Sequence, residues 1–216
     1  MRLIMETTMK VRILEKANDL FMRYGIRSVT MDEIASQLGI SKKTIYQFFT
    51  DKDQMVEAVV EVEVNSNQAE CNRCHIASDN PIHEIFIVME RSGEMLKAMN
   101  PLIMYDLEKH HPKAYKKFRD YKYQFMYKMI KDNLDLGIKE ELYRKEIDVD
   151  IMARQRIESA FLIFNQDVFP HSRFKISEVG HELTLFFLHG IVTAKGKKLI
   201  EKYSKEHVHI KQSLYE

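Results

Sequence analysis

The chain has 216 residues, 45% of them hydrophobic and 30% charged, with 33 Lys+Arg against 32 Asp+Glu and a formal net charge of +1. That balance is the one found in globular proteins and excludes a disordered tail, a collagen and a disulfide-knotted toxin. Seven Gly and four Pro are few for an all-β chain of this length, so the expected fold is all-α.

The charge is unevenly placed. Residues 1–52 carry nine basic and six acidic side chains, a net of +3, and the remainder is slightly acidic. A basic head on a mildly acidic body suits a polyanion at the N-terminal end. The opening residues reach Glu6 before a signal-like apolar core develops. The longest apolar stretch, 183–192, falls far short of the roughly 20 residues that span a bilayer. No membrane partner is expected, and two Cys without an export signal suit the cytoplasm.

Helical periodicity runs almost throughout. Val11, Leu14, Ala17, Leu20, Phe21 and Tyr24 recur at three- and four-residue steps and form one apolar stripe, which Gly25 ends. Thr30 and Glu33 have the spacing of a capping box, opening a short helix over 31–38 that Gly39 ends. Ser41 caps a third short helix over 42–49. The run 50–53 opens a long fourth helix towards Cys74. Asn80-Pro81, Asn100-Pro101 and His111-Pro112 each put proline where a first helical turn tolerates it. Helices are therefore expected near 81–99, 101–110 and 112–136, the last closed by Gly137. After a charged connector over 138–147, Asp148 caps a helix to about residue 167. Ser177 caps a final segment over 178–204, interrupted near Gly190 or Gly196.

Two short helices joined by Gly39-Ile40-Ser41 have the spacing of a helix-turn-helix, whose second helix enters a DNA major groove. Ile45, Phe48 and Phe49 can pack inward, which leaves Lys42, Lys43, Thr44 and Gln47 on or near the outer face. Lys donates to guanine O6 or N7, Gln pairs with adenine, and a Thr methyl touches thymine. Tyr46 sets a hydroxyl at the helix flank. Lys52 and the start of the fourth helix can hold a phosphate.

The run from Ala17 to Lys52 resembles the DNA-binding head of the TetR family of transcriptional regulators. The resemblance is carried by Phe21 and Gly25, by 29–35 (Val-Thr-Met-Asp-Glu-Ile-Ala), by 38–42 (Leu-Gly-Ile-Ser-Lys), and by Tyr46, Phe49 and Lys52. It covers about a fifth of the chain. It implies a homodimer with a helix-turn-helix domain over 1–52 and an effector-binding and dimerisation domain over 53–216. It also implies a repressor released from a palindromic double-stranded DNA operator by a small molecule. Thr30, Tyr46 and Lys52 then fall at phosphate contacts, and Lys42, Lys43, Thr44 and Gln47 at base-reading positions.

Family effectors bind between helices of the body. Met and aromatic residues are dense there, so a lipophilic or aromatic effector is expected over about 85–165, with Met89, Met104, Tyr105, Phe125, Met126 and Phe161 as candidate walls. Broad apolar surfaces over 149–167 and 179–194 predict a four-helix dimer seam with Met152, Phe161, Phe164, Leu183, Phe186 and Ile191.

Cys71-Asn72-Arg73-Cys74-His75 spells a c-type haem attachment pattern. On a helix, Cys71, Cys74 and His75 share a face and are candidate metal ligands or redox thiols, the alternative function being a metal- or redox-responsive sensor. The plainer reading is helix filler, with no metal. His110-His111 and His207-Val208-His209 are read as surface histidines. No phosphate loop, nucleophile elbow or paired-carboxylate site occurs, so neither catalytic residues nor a cofactor is expected.

Overall fold

The structure is a computed structural model that describes the backbone of residues 2–213 and the side chains of 7–97 and 99–206. The chain is all-α: α1 Arg2–Tyr24, α2 Met31–Leu38, α3 Lys42–Tyr46, α4 Lys52–Ala77, α5 Pro81–Ala98, α6 Ile103–His110, α7 Pro112–Asp120, a π-helical stretch Tyr121–Met126, α8 Tyr127–Lys139, α9 Val149–Leu162, α10 Ile176–Ile191 and α11 Ala194–Ser213. Two packing units result. One is Met1–Gln68 with Ala98–Tyr121, and the other is Ala69–Lys97 with Lys122–Glu216. These units cut the chain differently from a functional division at residue 52, because α6 and α7 pack with the first helices.

In the first unit the core is built on Ile13, Leu14, Ala17, Leu20 and Phe21 of α1. Val11 (46% exposed) and Tyr24, expected in this stripe, face outward. Ile13 takes the inner place because residues 13, 17, 20 and 21 keep the four-residue step about the buried axis. Ile34 and Ala35 of α2, Ile45 of α3, Phe49, and Met55, Val56 and Val59 of α4 close over that stripe, with Ile103 and Leu107 of α6 and Ala114 of α7. Gly25 ends α1 at φ 81, and its N–H reaches the Phe21 carbonyl at 2.9 Å.

The second unit holds Ile82, Phe86, Leu134, Tyr143, Leu188, Ile191 and Ile200 at its centre, with a smaller cluster around Ile163, Ile176 and Val179. Three expectations for residues 112–147 are corrected here. The helix expected over 112–136 changes to π geometry at Tyr121 and then continues to Lys139. Gly137 does not close it: a Cβ there would lie 2.1 Å from the Tyr143 ring, so this glycine makes room for a buried side chain. The reversal instead uses Glu141 at φ 60, after which the Leu142 and Tyr143 amides both donate back to the Gly137 carbonyl. The 138–147 segment is therefore a structured corner that bridges to Val192, not merely a charged connector.

Asp148 caps α9 as expected, its carboxylate accepting from the Ile151 N–H at 3.0 Å, but the helix ends at Leu162. Ser177 does not cap α10, which starts at Ile176 without a side-chain cap. The last break falls at Val192 and Thr193, between Gly190 and Gly196 as expected. There the Thr193 N–H donates to the Leu142 carbonyl at 2.9 Å, and the Thr193 hydroxyl accepts from the Gly196 N–H at 3.2 Å.

Candidate nucleic-acid interface

The helix-turn-helix assembles from local chemistry. Thr30 Oγ1 accepts from the Glu33 N–H at 3.1 Å and starts α2. Gly39, at φ 65, and Ile40 return their N–H groups to the last turn, on Ser36 and Ala35. Such a positive φ suits glycine and little else. Ser41 Oγ accepts from the Thr44 N–H at 3.1 Å and opens α3. The recognition helix is shorter than the expected 42–49, ending at Tyr46 with Gln47 at its C-cap.

Burial sorts the side chains of this segment. Ile45 and Phe49 are buried and Phe48 is half-buried. Lys42, Lys43, Tyr46 and Gln47 are exposed, Tyr46 at 44%. Thr44 is half-buried and its hydroxyl meets Ser41 Oγ at 2.8 Å. Its hydroxyl therefore serves the cap, and its methyl remains the group suited to a base. Lys42 Nζ is held by Asp32 Oδ2 at 2.8 Å, and this hydrogen bond keeps its pKa above the ordinary lysine value. Exposed pairs of this kind are weak, so a DNA acceptor can replace Asp32. Lys52 Nζ donates to the Arg27 carbonyl at 3.3 Å. Burial pushes Lys52 below the usual lysine range, with Asp106, Asp53 and Glu33 opposing that shift.

Several supporting residues were not foreseen. Asp106 of α6 is buried and accepts from the Arg27 N–H at 2.9 Å, so it holds the segment between α1 and α2. The Asn100 N–H donates to the Met22 carbonyl at 2.6 Å. Asn100-Pro101 signals a helix entry, but nothing in the sequence marks Asp106. His111, expected at the surface, is buried, and its Nδ1 lies 2.7 Å from Asp53 Oδ1 at the start of α4.

The other candidates are scattered. Cys74 is 2% exposed, burial pushes its thiol up, and its Sγ lies 4.0 Å from Glu70 Oε1. His75 Nδ1 instead faces Glu84 Oε2 at 3.2 Å. Among the described residues no three His, Cys, Asp or Glu side chains gather to hold an ion, so Cys71, Cys74 and His75 are not brought together as ligands. The side chains of His207 and His209 lie outside the described residues. Of the proposed pocket walls, Met104 and Tyr105 belong to the first unit, and Met89, Phe125, Met126 and Phe161 to the second. Tyr105 is exposed beneath the Lys109 ammonium. Of the proposed seam, Phe186 is 77% exposed, while Met152, Phe161, Phe164 and Leu183 are half-buried. Ile191 is corrected: at 2% exposed it belongs to the core of its own protomer, because it packs with Leu188 beneath the Tyr143 corner.

Residues 13–59 match the family model for bacterial regulatory proteins of the tetR family. The chain carries a TetR-family head. The HTH-type transcriptional regulator YvaF of Bacillus subtilis is 32% identical over 108 residues, which are 50% of this chain and 56% of YvaF. That match spans about half the length of the relative. The HTH-type transcriptional repressor KstR2 of Mycobacterium tuberculosis is 25% identical over 145 residues, 66% of this chain and 72% of KstR2. Among solved structures, a transcriptional regulator from Saccharomonospora viridis in complex with choline superposes with a TM-score of 0.71 at 21% identity. The superposition covers 87% of this chain and 99% of that one; this likeness shows the fold. The TetR family and these relatives are regulators, not enzymes. No helix among the described residues is long and apolar enough to cross a membrane.

Proposed function

We propose that this chain is a cytoplasmic homodimeric repressor that holds a palindromic operator through two TetR-family heads and leaves it when a small molecule binds the second unit. The observation that carries the DNA half is the sorting of α3: Ile45 and Phe49 buried, Lys42, Lys43, Tyr46 and Gln47 outward. A twofold dimer sets two such helices about one DNA turn apart, roughly 34–36 Å. Selection of bound sequences from a random DNA pool tests this reading. Inverted repeats should be enriched, and a pool without them would overturn it.

Roles divide as follows. Thr30, Tyr46 and Lys52 hold phosphates, and Lys42, Lys43, Thr44 and Gln47 read bases. Lys52→Ala should weaken binding to every sequence alike and lower the slope of log affinity against log salt by about one unit. Gln47→Ala and Lys42→Ala should instead lose about ten- to a hundred-fold on the selected operator, with a smaller loss on random DNA. Equal losses on both DNAs would remove these residues from base reading.

The effector is small and lipophilic or aromatic, and the walls assigned to it are Met89, Phe125, Met126 and Phe161. Phe125 and Met126 lie in the π-helical stretch, the Phe161 ring lies 4.8 Å from the Lys122 ammonium of the same stretch, and such irregular helix is frequent at functional sites. The effector acts only through a difference in its affinity for operator-bound and free spacings of the two heads. KstR2 is named a repressor, which supports the sign of regulation. The exposed Phe186 on α10, with Leu162 on α9, supports a seam between copies.

A further inference from the structure

Arg156 sits in the middle of α9 and turns towards α10. Its Nη2 donates to Thr184 Oγ1 at 2.9 Å, and its guanidinium lies 5.6 Å from the centre of the Phe187 ring. The Thr184 hydroxyl gives its own proton to the Gly180 carbonyl at 2.6 Å, so it is fully committed and fixes where the guanidinium rests. One turn away on the same face of α9 stand Ala153 and Ala160, too short to cover the fork. Among the described residues Arg156 forms no ion pair with a carboxylate, and no neighbouring charge of either sign bears on it. Burial alone pushes its pKa down to about 10.

Arg156 as a whole is half-buried, and a partly desolvated guanidinium without an acid is costly, because buried charges ordinarily find a partner. A strongly perturbed group with unused donors marks a candidate binding position. Arg156 has five N–H donors in a planar fork, most of them unused by Thr184. The ligand that completes it is an anion. Polyphosphates are met by several cations, whereas here a single cation stands beside an aromatic ring and aliphatic neighbours. That composition suits one negative charge on an apolar body, and a carboxylate matches the fork bidentately.

We propose that Arg156, positioned by Thr184, receives the carboxylate of an amphipathic effector whose apolar part lies against the second unit. This deepens the reading of the chain as an effector-released regulator and rests on it. It adds a charge requirement to the lipophilic or aromatic ligand class.

The test uses the full chain and two matched probe pairs, decanoate with decan-1-ol and 2-naphthoate with 2-naphthol, titrated by calorimetry. At least one acid should bind about tenfold or more tightly than its alcohol, the scale of hydrogen bonds to a charged group. Arg156→Met should remove that preference, and Arg156→Lys should restore part of it. The comparison within the unsubstituted protein stands even if a variant fails to fold. Equal affinity of acid and alcohol, binding of neither acid, or a preference that survives Arg156→Met would overturn the proposal. So would a change from dimer to monomer in light scattering of Arg156→Met, which would assign Arg156 to the seam. Acid and alcohol that bind equally and both release the selected operator would refute the Arg156 assignment and leave the regulator reading intact. Acid that binds through Arg156 while the operator stays bound would keep the anion site and refute effector release.

Discussion

Gly137→Ala should cost about 3 kcal/mol of folding stability, the upper range for overpacking a core. The new Cβ would lie 2.1 and 2.2 Å from two carbons of the Tyr143 ring. That ring is among the largest fully buried side chains, and its hydroxyl donates to Asn133 Oδ1 at 3.1 Å. Asn133 in turn donates to the Pro81 carbonyl and to Glu84, at 2.9 Å each. Moving the ring therefore disturbs a buried polar network, and an unsatisfied member of such a network is expensive. The control is Gly93→Ala within α5, where nothing lies within 4 Å of the added Cβ. It should be neutral or stabilising by about 0.5–1 kcal/mol, through helix propensity and a less flexible unfolded chain. Urea unfolding midpoints at constant slope measure both. A Gly137→Ala variant as stable as the parent would show that Tyr143 does not occupy this corner.

Phe186→Glu should separate the copies and, with them, the two heads. A large aromatic at 77% exposure on a helix whose other turns bury Val179, Thr184, Phe187 and Leu188 is a candidate anchor for a second copy. Aromatic anchors at interface centres are worth about 2–4 kcal/mol when truncated, and a carboxylate in their place adds desolvation. Light scattering should therefore report a monomer. Operator affinity should fall steeply, and the salt slope should drop to about half, since one head neutralises half the phosphates. A dimer that persists would place the seam elsewhere. A monomer that keeps the full salt slope would mean that operator binding does not need two heads.

The N-terminal region was legible because its signals are local. Thr30, Gly39 and Ser41 act on backbone groups within four residues of themselves, so their positions in the sequence place α2, the turn and α3. The misreadings arose where a distant side chain set the backbone. Gly137 reads as a helix stop until Tyr143 is laid against it. The break near Gly190 and Gly196 was expected, but its cause was not legible: Val192 and Thr193 meet Leu142 and Tyr143. Ile191 and Phe186 look alike as apolar residues of one helix, and only the packing of α10 separates the buried one from the exposed one. His111 and Asp106 carry no motif at all; burial beside Asp53 and Arg27 gives them their roles.

Periodicity and capping chemistry by themselves determined the all-α class, the helix-turn-helix and the outward set from Lys42 to Gln47, because each depends on bonds between near neighbours. The tertiary structure alone decided that Arg156 lies against Thr184 and Phe187 without an acid, since they are about 30 residues apart along the chain and meet only where α9 packs on α10. A charge is not costly until burial removes its water, and burial is a property of the packed chain rather than of any segment within it.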